Sequence, residues 1–365
     1  RSSGSSPAGG AWAKASATAS GAASATPVAP AAAAVTGTSG TSGGWRRVDS
    51  DQPRPVILSL LRTHSGELWV GTATGILACS GTCEKWNNPS NVQTLRRAAV
   101  YALTESSDGV VWIASDAGVH SYDLRRSRLT SHNTALKLPR RSVVYDAAID
   151  GNGTIWFASD VGVPTLNPRT GETHAIGEAT TRRGAVRRIV WDSQGDQYLV
   201  SPDRIVRVPR GSKGRDIDLT QASQLISVRV ATVAADGSVW FGGQNGLARY
   251  QPRGDRFTTY FALNNVQSIG AEKGGVWLGF TDGAVRYADG ATTCFAALQA
   301  ASTAPTAVPA ASCQRVTVSD TPANQRTVTS VLVDDKEVVW LGTLHGIRRA
   351  RRERTRSGGR GGRRA

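Results

Sequence analysis

The segment Gly237-Ser-Val-Trp240-Phe-Gly-Gly-Gln-Asn-Gly246-Leu-Ala-Arg-Tyr250 decides the fold, because its spacing returns along the chain. A glycine is followed three residues later by a tryptophan, and six residues after that by a second glycine. Five complete copies and two degenerate ones give seven aromatic anchors: Trp69, Trp112, Trp156, Tyr198, Trp240, Trp277 and Trp340. Successive anchors lie 43, 44, 42, 42, 37 and 63 residues apart, and an alanine-rich insertion lengthens the last interval.

Each repeat contains four strand-sized pieces, so a period near 40 predicts one four-stranded propeller blade per repeat. The apolar run before each anchor is expected to form the innermost strand, packed on both faces. The anchor lies on the second strand, and the second glycine supplies a positive-φ turn into the third. A polar fourth strand, such as 256–260 or 315–318, completes the blade. The sequence therefore predicts an all-β fold, a single seven-bladed β-propeller.

The two ends of the repeat region predict how the ring closes. The last repeat has only three strands, at 328–333, 338–342 and 347–350, whereas Trp45–Val48 has fourth-strand character before the first repeat. We expect this N-terminal strand to complete the last blade, which leaves no sheet edge open. The predicted domains are a disordered Ala/Ser/Gly linker at 1–44, the propeller at 45–350 and a disordered Arg/Gly-rich tail at 351–365.

Charge indicates the class of partner. The formal net charge of the 365 residues is +15, and the propeller keeps about +7 once the linker and tail are set aside. Such a surface attracts polyanions: acidic glycans, nucleic acid or anionic lipid. No stretch approaches the roughly 20 apolar residues of a membrane span, and no signal peptide is visible. Because the chain begins with Arg1 and contains no methionine, we expect it to be part of a longer protein.

A second periodic feature lies in the loops that precede the innermost strands. Arginine occupies this loop in five repeats, and such loops emerge on one face of a propeller around the channel mouth. Further candidates lie one residue into the apolar runs. The predicted ligand-binding residues are Arg54, Arg97, Arg141, Arg183, Arg187, Arg229, Arg326, Tyr101, Tyr145 and Gln267. Guanidinium groups pair with carboxylate, sulfate or phosphate, and tyrosine stacks on sugar rings. The alternative is ordinary solvated loop arginines.

A ring of arginines around a channel favours a compact anionic saccharide over nucleic acid, which requires an extended basic stripe. Four cysteines fall into two local pairs, Cys79 with Cys83 and Cys294 with Cys313, and each pair is expected to form a disulfide. Disulfides indicate an oxidising compartment, whereas reduced cysteines in a cytosolic propeller are the alternative. The cysteine spacing is wrong for zinc and the five histidines lie in different repeats, so we expect neither metal nor cofactor.

The two-component regulator propeller repeat of bacterial sensor proteins is the family that these segments resemble: GELWVGTATGILAC (66–79), GSVWFGGQNGLARY (237–250), GGVWLGFTDGAVRY (274–287) and EVVWLGTLHGI (337–347). The stretch LPRRSVVYDAAIDGNGTIW (138–156) is similar to that family's inter-blade linker LPxNxV, and the repeat of Tyr198 departs from the family phrase. The resemblance implies a periplasmic ligand-sensing domain followed by a β-sandwich, a membrane span and a histidine kinase or diguanylate cyclase.

The expected function is therefore a non-enzymatic sensor domain that binds an anionic oligosaccharide or a small anion and acts on a downstream kinase or cyclase module, or on a partner protein. Two alternatives remain. One is a protein-interaction scaffold that uses the same face. The other is a lyase- or hydrolase-like propeller, since the chain also resembles, more weakly, the streptogramin-type lyases. Those enzymes imply a dedicated histidine and carboxylate, which this sequence does not identify.

Overall fold

The computed structural model describes residues 46–48, 55–81, 83, 85–89, 92–175, 185–211, 216–260, 265–288, 313–317 and 326–351. They belong to one structural unit. Predictions that concern Arg54, Arg183, Cys294, the side chain of Cys313, the 1–44 linker and residues 352–365 lie outside the described residues. Within them, no helix is long and apolar enough to cross a bilayer.

Seven antiparallel sheets form the blades of a propeller, as predicted. The innermost strands are β2 (Ile57–Arg62), β5 (Val100–Glu105), β9 (Val144–Ile149), β13 (Arg188–Trp191), β17 (Val230–Val233), β21 (Ser268–Glu272) and β25 (Val328–Val333). The second strands are β3 (Leu68–Thr72), β6 (Val110–Ser115), β10 (Ile155–Ser159), β14 (Gln197–Ser201), β18 (Val239–Gly242), β22 (Gly275–Phe280) and β26 (Val338–Thr343). Each innermost strand packs against that of the next blade, and β25 packs against β2, so the ring is closed.

The outer half of each blade is more variable. The third strands are β4 (Gly75–Cys79), β7 (Gly118–Asp123), β11 (Pro164–Leu166), β15 (Arg204–Val208), β19 (Leu247–Gln251), β23 (Gly283–Ala288) and β27 (Gly346–Arg351). The outer strands are β8 (Arg128–Ser131), β12 (Thr173–Ala175), β16 (Ile217–Asp218), β20 (Arg256–Tyr260), β24 (Cys313–Thr317) and β1 (Arg46–Val48). In blade one a single bridge between Ala78 and Asn87 occupies the outer position, close to Pro89, which has no backbone N–H to donate. A four-residue helix, α1 (Thr220–Ser223), precedes blade five.

The N-terminal strand closes the ring as predicted. β1 pairs antiparallel with β27, with Arg46 opposite Arg349 and Val48 opposite Ile347, so the last blade combines both ends of the repeat region. Val48 packs on the cluster that contains Trp340 and Ile347. Blade seven is therefore held by a strand that lies nearly 300 residues away along the chain.

One prediction about burial is wrong. The innermost strand is not packed on both faces: in β2 and β5, buried residues are interrupted by half-buried ones, because one face of each strand lines the channel. The uniformly buried strand is the second, in which all five residues of β3 and all six of β22 are buried. Apolar runs next to a narrow channel resemble strands buried on both faces, and this similarity explains the error.

The aromatic anchors lie between blades, where they pack on the neighbouring blade's third or second strand. The ring centroids of Trp69 and Tyr122 are 5.1 Å apart, and those of Trp240 and Tyr287 are 5.4 Å apart. The polar edge of the anchor hydrogen-bonds to the turn between the first two strands of its own blade. Trp340 Nε1 donates to Asp334 Oδ2 at 3.0 Å, and the same carboxylate accepts backbone N–H bonds. Burial and a satisfied indole together fix the anchor.

Blade five lacks this acceptor. The residue six positions before the anchor is Asp150, Asp192 and Asp334 in blades three, four and seven, but Ala234 in blade five. As a result, the indole Nε1 of the fully buried Trp240 has no hydrogen-bond partner in the described part of the chain. An unsatisfied buried donor costs about 1–3 kcal/mol. Blade five therefore contains a local defect that one side chain can repair.

Ala234→Asp should supply the missing acceptor and raise the free energy of unfolding by about 1 kcal/mol. Thermal and urea unfolding measure this. The control is Ala235→Asp, which adds the same charge at the neighbouring exposed residue and should leave stability unchanged. Equal melting temperatures for the two variants would show that the indole is not the source of the defect.

Candidate functional site

The candidate site lies on the face of the propeller where the chain enters each innermost strand. The turns between second and third strands lie on this face too: Asp116 N donates to Ala99 O, and Asp160 N to Val143 O. We call this side the mouth face. The hairpins between first and second strands lie at the opposite end of the blades.

At the mouth face, blades one, two, three and seven carry a β-bulge at the start of the innermost strand. In blades four, five and six the residue before the innermost strand donates its N–H to the same residue that pairs with the strand's first residue. In blade two, Val100 pairs with Ser115 and Ala102 with Ala114, so Tyr101 is the extra residue. In blade four, Arg187 N donates to Val200 O while Arg188 also lies opposite Val200. The seven extra residues, called the bulge ring, are Leu58, Tyr101, Tyr145, Arg187, Arg229, Gln267 and Thr329. Such two-to-one pairing turns a side chain out of the ladder, so these seven positions place seven side chains around the channel entrance.

The bulge ring brings together three residues predicted from sequence. The rings of Tyr101 and Tyr145 lie 5.7 Å apart, and the guanidinium carbon of Arg187 is 3.7 Å from the centre of the Tyr145 ring. This stacked arrangement leaves the edge of the guanidinium open to a ligand. Arg187 forms no ion pair with any described residue. Burial raises the pKa of Tyr101, with Asp116 and Tyr145 adding to the rise and Arg187 opposing it, so the phenol remains a proton donor.

Two further predicted residues belong to the bulge ring. Arg229 is exposed and has no ion-pair partner among the described residues. Gln267 is half-buried, and its Nε2 lies 3.4 Å from Asn265 O, a long contact. Leu58 and Thr329, on the remaining blades, offer little to a ligand. Leu58 is apolar, and the Thr329 hydroxyl is already used by the backbone oxygens of Ile57 and Gly342. The polar part of the ring therefore spans blades two to six.

Below the ring, the innermost strands enclose a cavity of about 250 Å³. Its charged residues are Asp146 and Arg188, from adjacent blades. Arg188 Nη1 donates to Asp146 Oδ1 at 3.1 Å, while Asp146 Oδ2 accepts the Ile189 N–H. The pair neutralises itself, so the unpaired positive charge at the entrance belongs to Arg187 and Arg229.

The periodic arginine pattern in the loops does not point to Asp146 and Arg188. Both follow a bulge-ring residue directly, in the column occupied by Ser59, Ala102, Val230, Ser268 and Ser330 in the other blades. Of the seven residues that directly follow a bulge-ring residue, Asp146 and Arg188 are the two that carry charge.

The loop arginines surround the mouth more loosely. Arg97 and Arg141 are exposed in the segments before β5 and β9, and Arg326 is half-buried just before β25. Neither Arg97 nor Arg141 forms an ion pair with a described residue. The same face also carries aspartates on turns between second and third strands, among them Asp116 and Asp160. Basic and acidic groups therefore alternate at the rim, which the arginine pattern alone does not predict.

The predicted disulfide between Cys79 and Cys83 is present and closes the turn after β4. It lies at the end of β4 that is opposite the mouth face, so we assign it a structural role. Cys313 lies on β24, opposite Tyr287.

His120 and His132 lie in the outer half of blade two, away from the bulge ring. His132 Nε2 lies 2.8 Å from Ser121 Oγ, but Ser121 is buried and no carboxylate among the described residues pairs with His132. Burial lowers the pKa of His132, and burial with the neighbouring His132 lowers the pKa of His120 to about 4. Within the described residues, no group of three His, Cys, Asp or Glu side chains could hold a metal.

Neutral His120 makes stability depend on pH. Between pH 6.5 and about pH 4, the imidazole of His120 is protonated in the unfolded chain but neutral in the folded chain. The free energy of unfolding should therefore fall by about 3 kcal/mol between pH 6.5 and 4 through this residue. Urea unfolding at both pH values measures the loss, which His120→Leu should reduce. His174→Leu, at an exposed position, is the control and should keep the wild-type pH dependence of the free energy of unfolding. A wild-type pH dependence in His120→Leu would contradict the prediction.

Comparison with solved structures supports the fold. The extracellular domain assigned to a hybrid two-component system of B. thetaiotaomicron superimposes with a TM-score of 0.68 at 17% identity, covering 84% of this chain and 40% of that one. A second such domain from the same organism gives a TM-score of 0.66 at 16% identity, covering 85% and 41%. This chain thus spans about two fifths of the length of those domains.

An enzyme shares the same architecture. Virginiamycin B lyase from Staphylococcus aureus superimposes with a TM-score of 0.63 at 15% identity, covering 84% of this chain and 98% of the lyase. No protein-family model matches the chain, and no curated protein matches it in sequence. At these identities the similarity shows the fold alone: a seven-bladed β-propeller of the architecture found both in extracellular domains of two-component systems and in virginiamycin B lyase.

Proposed function

We propose that this chain is a non-enzymatic, ligand-binding sensor domain of a bacterial signal-transduction protein, and that the bulge ring binds an anionic saccharide at the channel entrance. The observation that carries the proposal is the contact series Tyr101, Tyr145 and Arg187, continued around the ring by Arg229. Aromatic faces suit sugar rings, and two unpaired guanidinium groups suit an acidic substituent. The loop residues Arg54, Arg97, Arg141, Arg183 and Arg326 are proposed as further contacts at the rim.

The cellular setting follows from two observations. The Cys79–Cys83 disulfide favours an oxidising compartment, which for a bacterial protein means the periplasm or the exterior. The likeness to extracellular domains of two-component systems favours a linked kinase or cyclase module as the partner. Ligand occupancy would pass to that module through the packing between blades.

A lyase-like enzyme is the second candidate, because virginiamycin B lyase has the same architecture. Among the described residues, the bulge ring contains arginine, tyrosine and glutamine but no histidine or carboxylate that could act as a general base. Asp146, the nearest carboxylate in the cavity, is already bound by Arg188 and a backbone N–H. These features favour binding over turnover.

A glycan array probed with the intact chain tests the proposal. We expect signal on uronate- or sulfate-bearing glycans and none on their neutral counterparts. Each bound glycan is then incubated with the protein, and its mass is followed. An unchanged mass agrees with a sensor, whereas cleavage or elimination would establish the enzyme instead. Absence of binding to every acidic glycan would contradict the saccharide proposal.

A further inference from the structure

A second cavity opens on the mouth face beside blade two. It lies between the turn Asp116–Gly118 and the segment Asn133–Ser142, which leads from β8 to β9, and its volume is about 620 Å³. We call it the linker pocket. The volume falls within the range of small-molecule sites, roughly 300–1,000 Å³. The pocket is too large for a single inorganic ion.

The shape of the linker pocket is fixed by the side chain of Asn133. Its Oδ1 accepts the Val119 N–H, and its Nδ2 donates to Ala117 O, both at 2.8 Å. The amide thus ties the connecting segment to the turn of the second and third strands. A pocket held in this way needs little reorganisation when a ligand binds.

The charge of the linker pocket is strongly positive. Lys137, Arg140 and Arg141 line it, and none of them forms an ion pair with any described residue. The opposing carboxylate is Asp116, whose Oδ1 accepts the Ala99 N–H. Three unpaired cations facing one carboxylate favour a ligand that carries an acidic group and hydroxyl donors together.

A buried hydroxyl gives independent support. Ser142 lines the same pocket, is only 4% exposed, and its Oγ has no hydrogen-bond partner among the described residues. Buried hydroxyl groups are nearly always paired, and an unpaired one requires an explanation. An acidic oxygen bound beside Arg141 would accept this O–H.

We propose that the linker pocket is a binding site for a hydroxylated organic anion, a sugar acid or a sugar phosphate. Lys137, Arg140 and Arg141 hold the acidic group, Ser142 donates to it, and Asp116 accepts a sugar hydroxyl. The site deepens the proposed function by providing an outer anionic subsite. It rests on side chains outside the bulge ring and shares only Arg141 with the proposed rim contacts, so either site can fail without the other.

The backbone supplies a test that preserves the fold. Arg141 has φ of 69° and Lys137 has φ of 53°, the left-handed region in which asparagine is better tolerated than arginine or lysine. Arg141→Asn and Lys137→Asn therefore remove a cation without straining the chain, and their melting temperatures should equal or exceed that of the wild type. Arg140→Gln, at a residue outside the left-handed region, is a third variant. Arg169→Asn, at an exposed residue of the β11–β12 turn, is the matched control.

Isothermal titration calorimetry with galacturonate, glucose 6-phosphate, inorganic phosphate and galactose decides the matter. We expect at least one of the two sugar anions to bind, galactose not to bind, and inorganic phosphate to bind more weakly. Each pocket variant should raise the Kd about tenfold, which is the effect expected when one charge-assisted hydrogen bond is lost. Arg169→Asn should leave the Kd unchanged. In the Arg187→Ala/Arg229→Ala background, which removes the proposed mouth site, a sugar anion should still bind and adding Arg141→Asn should still raise its Kd about tenfold, which separates the pocket from the channel mouth. No heat with either sugar anion, an unchanged Kd in all three variants, or phosphate binding as tightly as the sugars would overturn the proposal.

Discussion

Gly279→Ala should destabilise the propeller by about 3 kcal/mol, the upper end of the usual cost of overpacking. Gly279 lies two residues after the Trp277 anchor, where blade six approaches blade seven. A Cβ at this position would lie 2.6 Å from the backbone oxygen of Val328 and 2.9 Å from its side chain. The Ser268 hydroxyl also lies against this position. It cannot move away easily, because its Oγ donates a hydrogen bond to the same Val328 oxygen. Relief requires separating two blades of a closed ring, and chemical denaturation measures the cost.

Two alanine substitutions separate this overlap from other effects of replacing glycine. Gly274→Ala, in the exposed turn of the same blade, has φ of 84° and no neighbour within 4 Å, so it should cost only about 1–2 kcal/mol of backbone strain. Gly151→Ala has neither a positive φ nor a neighbour and should be almost neutral. A Gly279→Ala cost no larger than that of Gly274→Ala would mean that the blades are not in close contact there.

Removal of the N-terminal strand should have the second large effect. Deleting residues 1–48 exposes the edge of β27 and the half-buried Val48 site on the Trp340 cluster. Burial of one aliphatic side chain and about three backbone hydrogen bonds together contribute about 3–6 kcal/mol. For a domain of this size the melting temperature should fall by roughly 10 °C. Differential scanning calorimetry provides the measurement.

Two controls accompany the truncation. Deleting residues 1–40 leaves β1 in place and should leave the melting temperature unchanged. Val48→Asp, in the full chain, places a charge against the Trp340 cluster and should reproduce part of the loss. If the chain lacking residues 1–48 melts at the wild-type temperature, β1 does not close the ring.

The fold was predictable because each repeated position of the phrase meets a structural need within or between blades. The first glycine of the phrase takes positive φ at Gly66, Gly109 and Gly153, and Glu337 takes the same role in blade seven with φ of 59°. The tryptophan column reports packing between blades. These requirements recur at fixed spacing, so a single sequence is enough to recognise them. The packing of the innermost strands was not predictable, since apolar composition does not distinguish a neighbouring blade from a channel.

The candidate site was only partly predictable, because a bulge depends on strand pairing. Tyr101, Tyr145, Arg187 and Arg229 all lie eleven residues before their anchors, so alignment on the anchors places them in one column. Gln267 lies ten residues before its anchor and still belongs to the bulge ring, which only the pairing of β21 with β22 reveals. The two-to-one pairing that turns these side chains toward the entrance has no sequence signature of its own.

The linker pocket shows the same limit. Lys137 and Arg141 share a cavity because Asn133 ties their segment to the turn of another strand pair. Arg141 is visible in the loop-arginine pattern, whereas Lys137 and the unpaired hydroxyl of Ser142 become significant only through that three-dimensional arrangement.

The central claim is that the guanidinium groups of the bulge ring bind the ligand. Calorimetric affinity is measured for the acidic glycan with the strongest array signal and for its methyl-esterified or desulfated form, on three proteins: wild type, Arg187→Ala/Arg229→Ala, and Arg169→Ala/Arg253→Ala. The last variant removes the same charge from exposed outer turns away from the mouth. We predict that the wild type and the outer-turn variant bind the acidic glycan with the same affinity, and that the mouth variant binds it at least about 100-fold more weakly. All three proteins should bind the neutral form of the glycan only weakly. Equal affinities for the mouth variant and the outer-turn variant would contradict the claim.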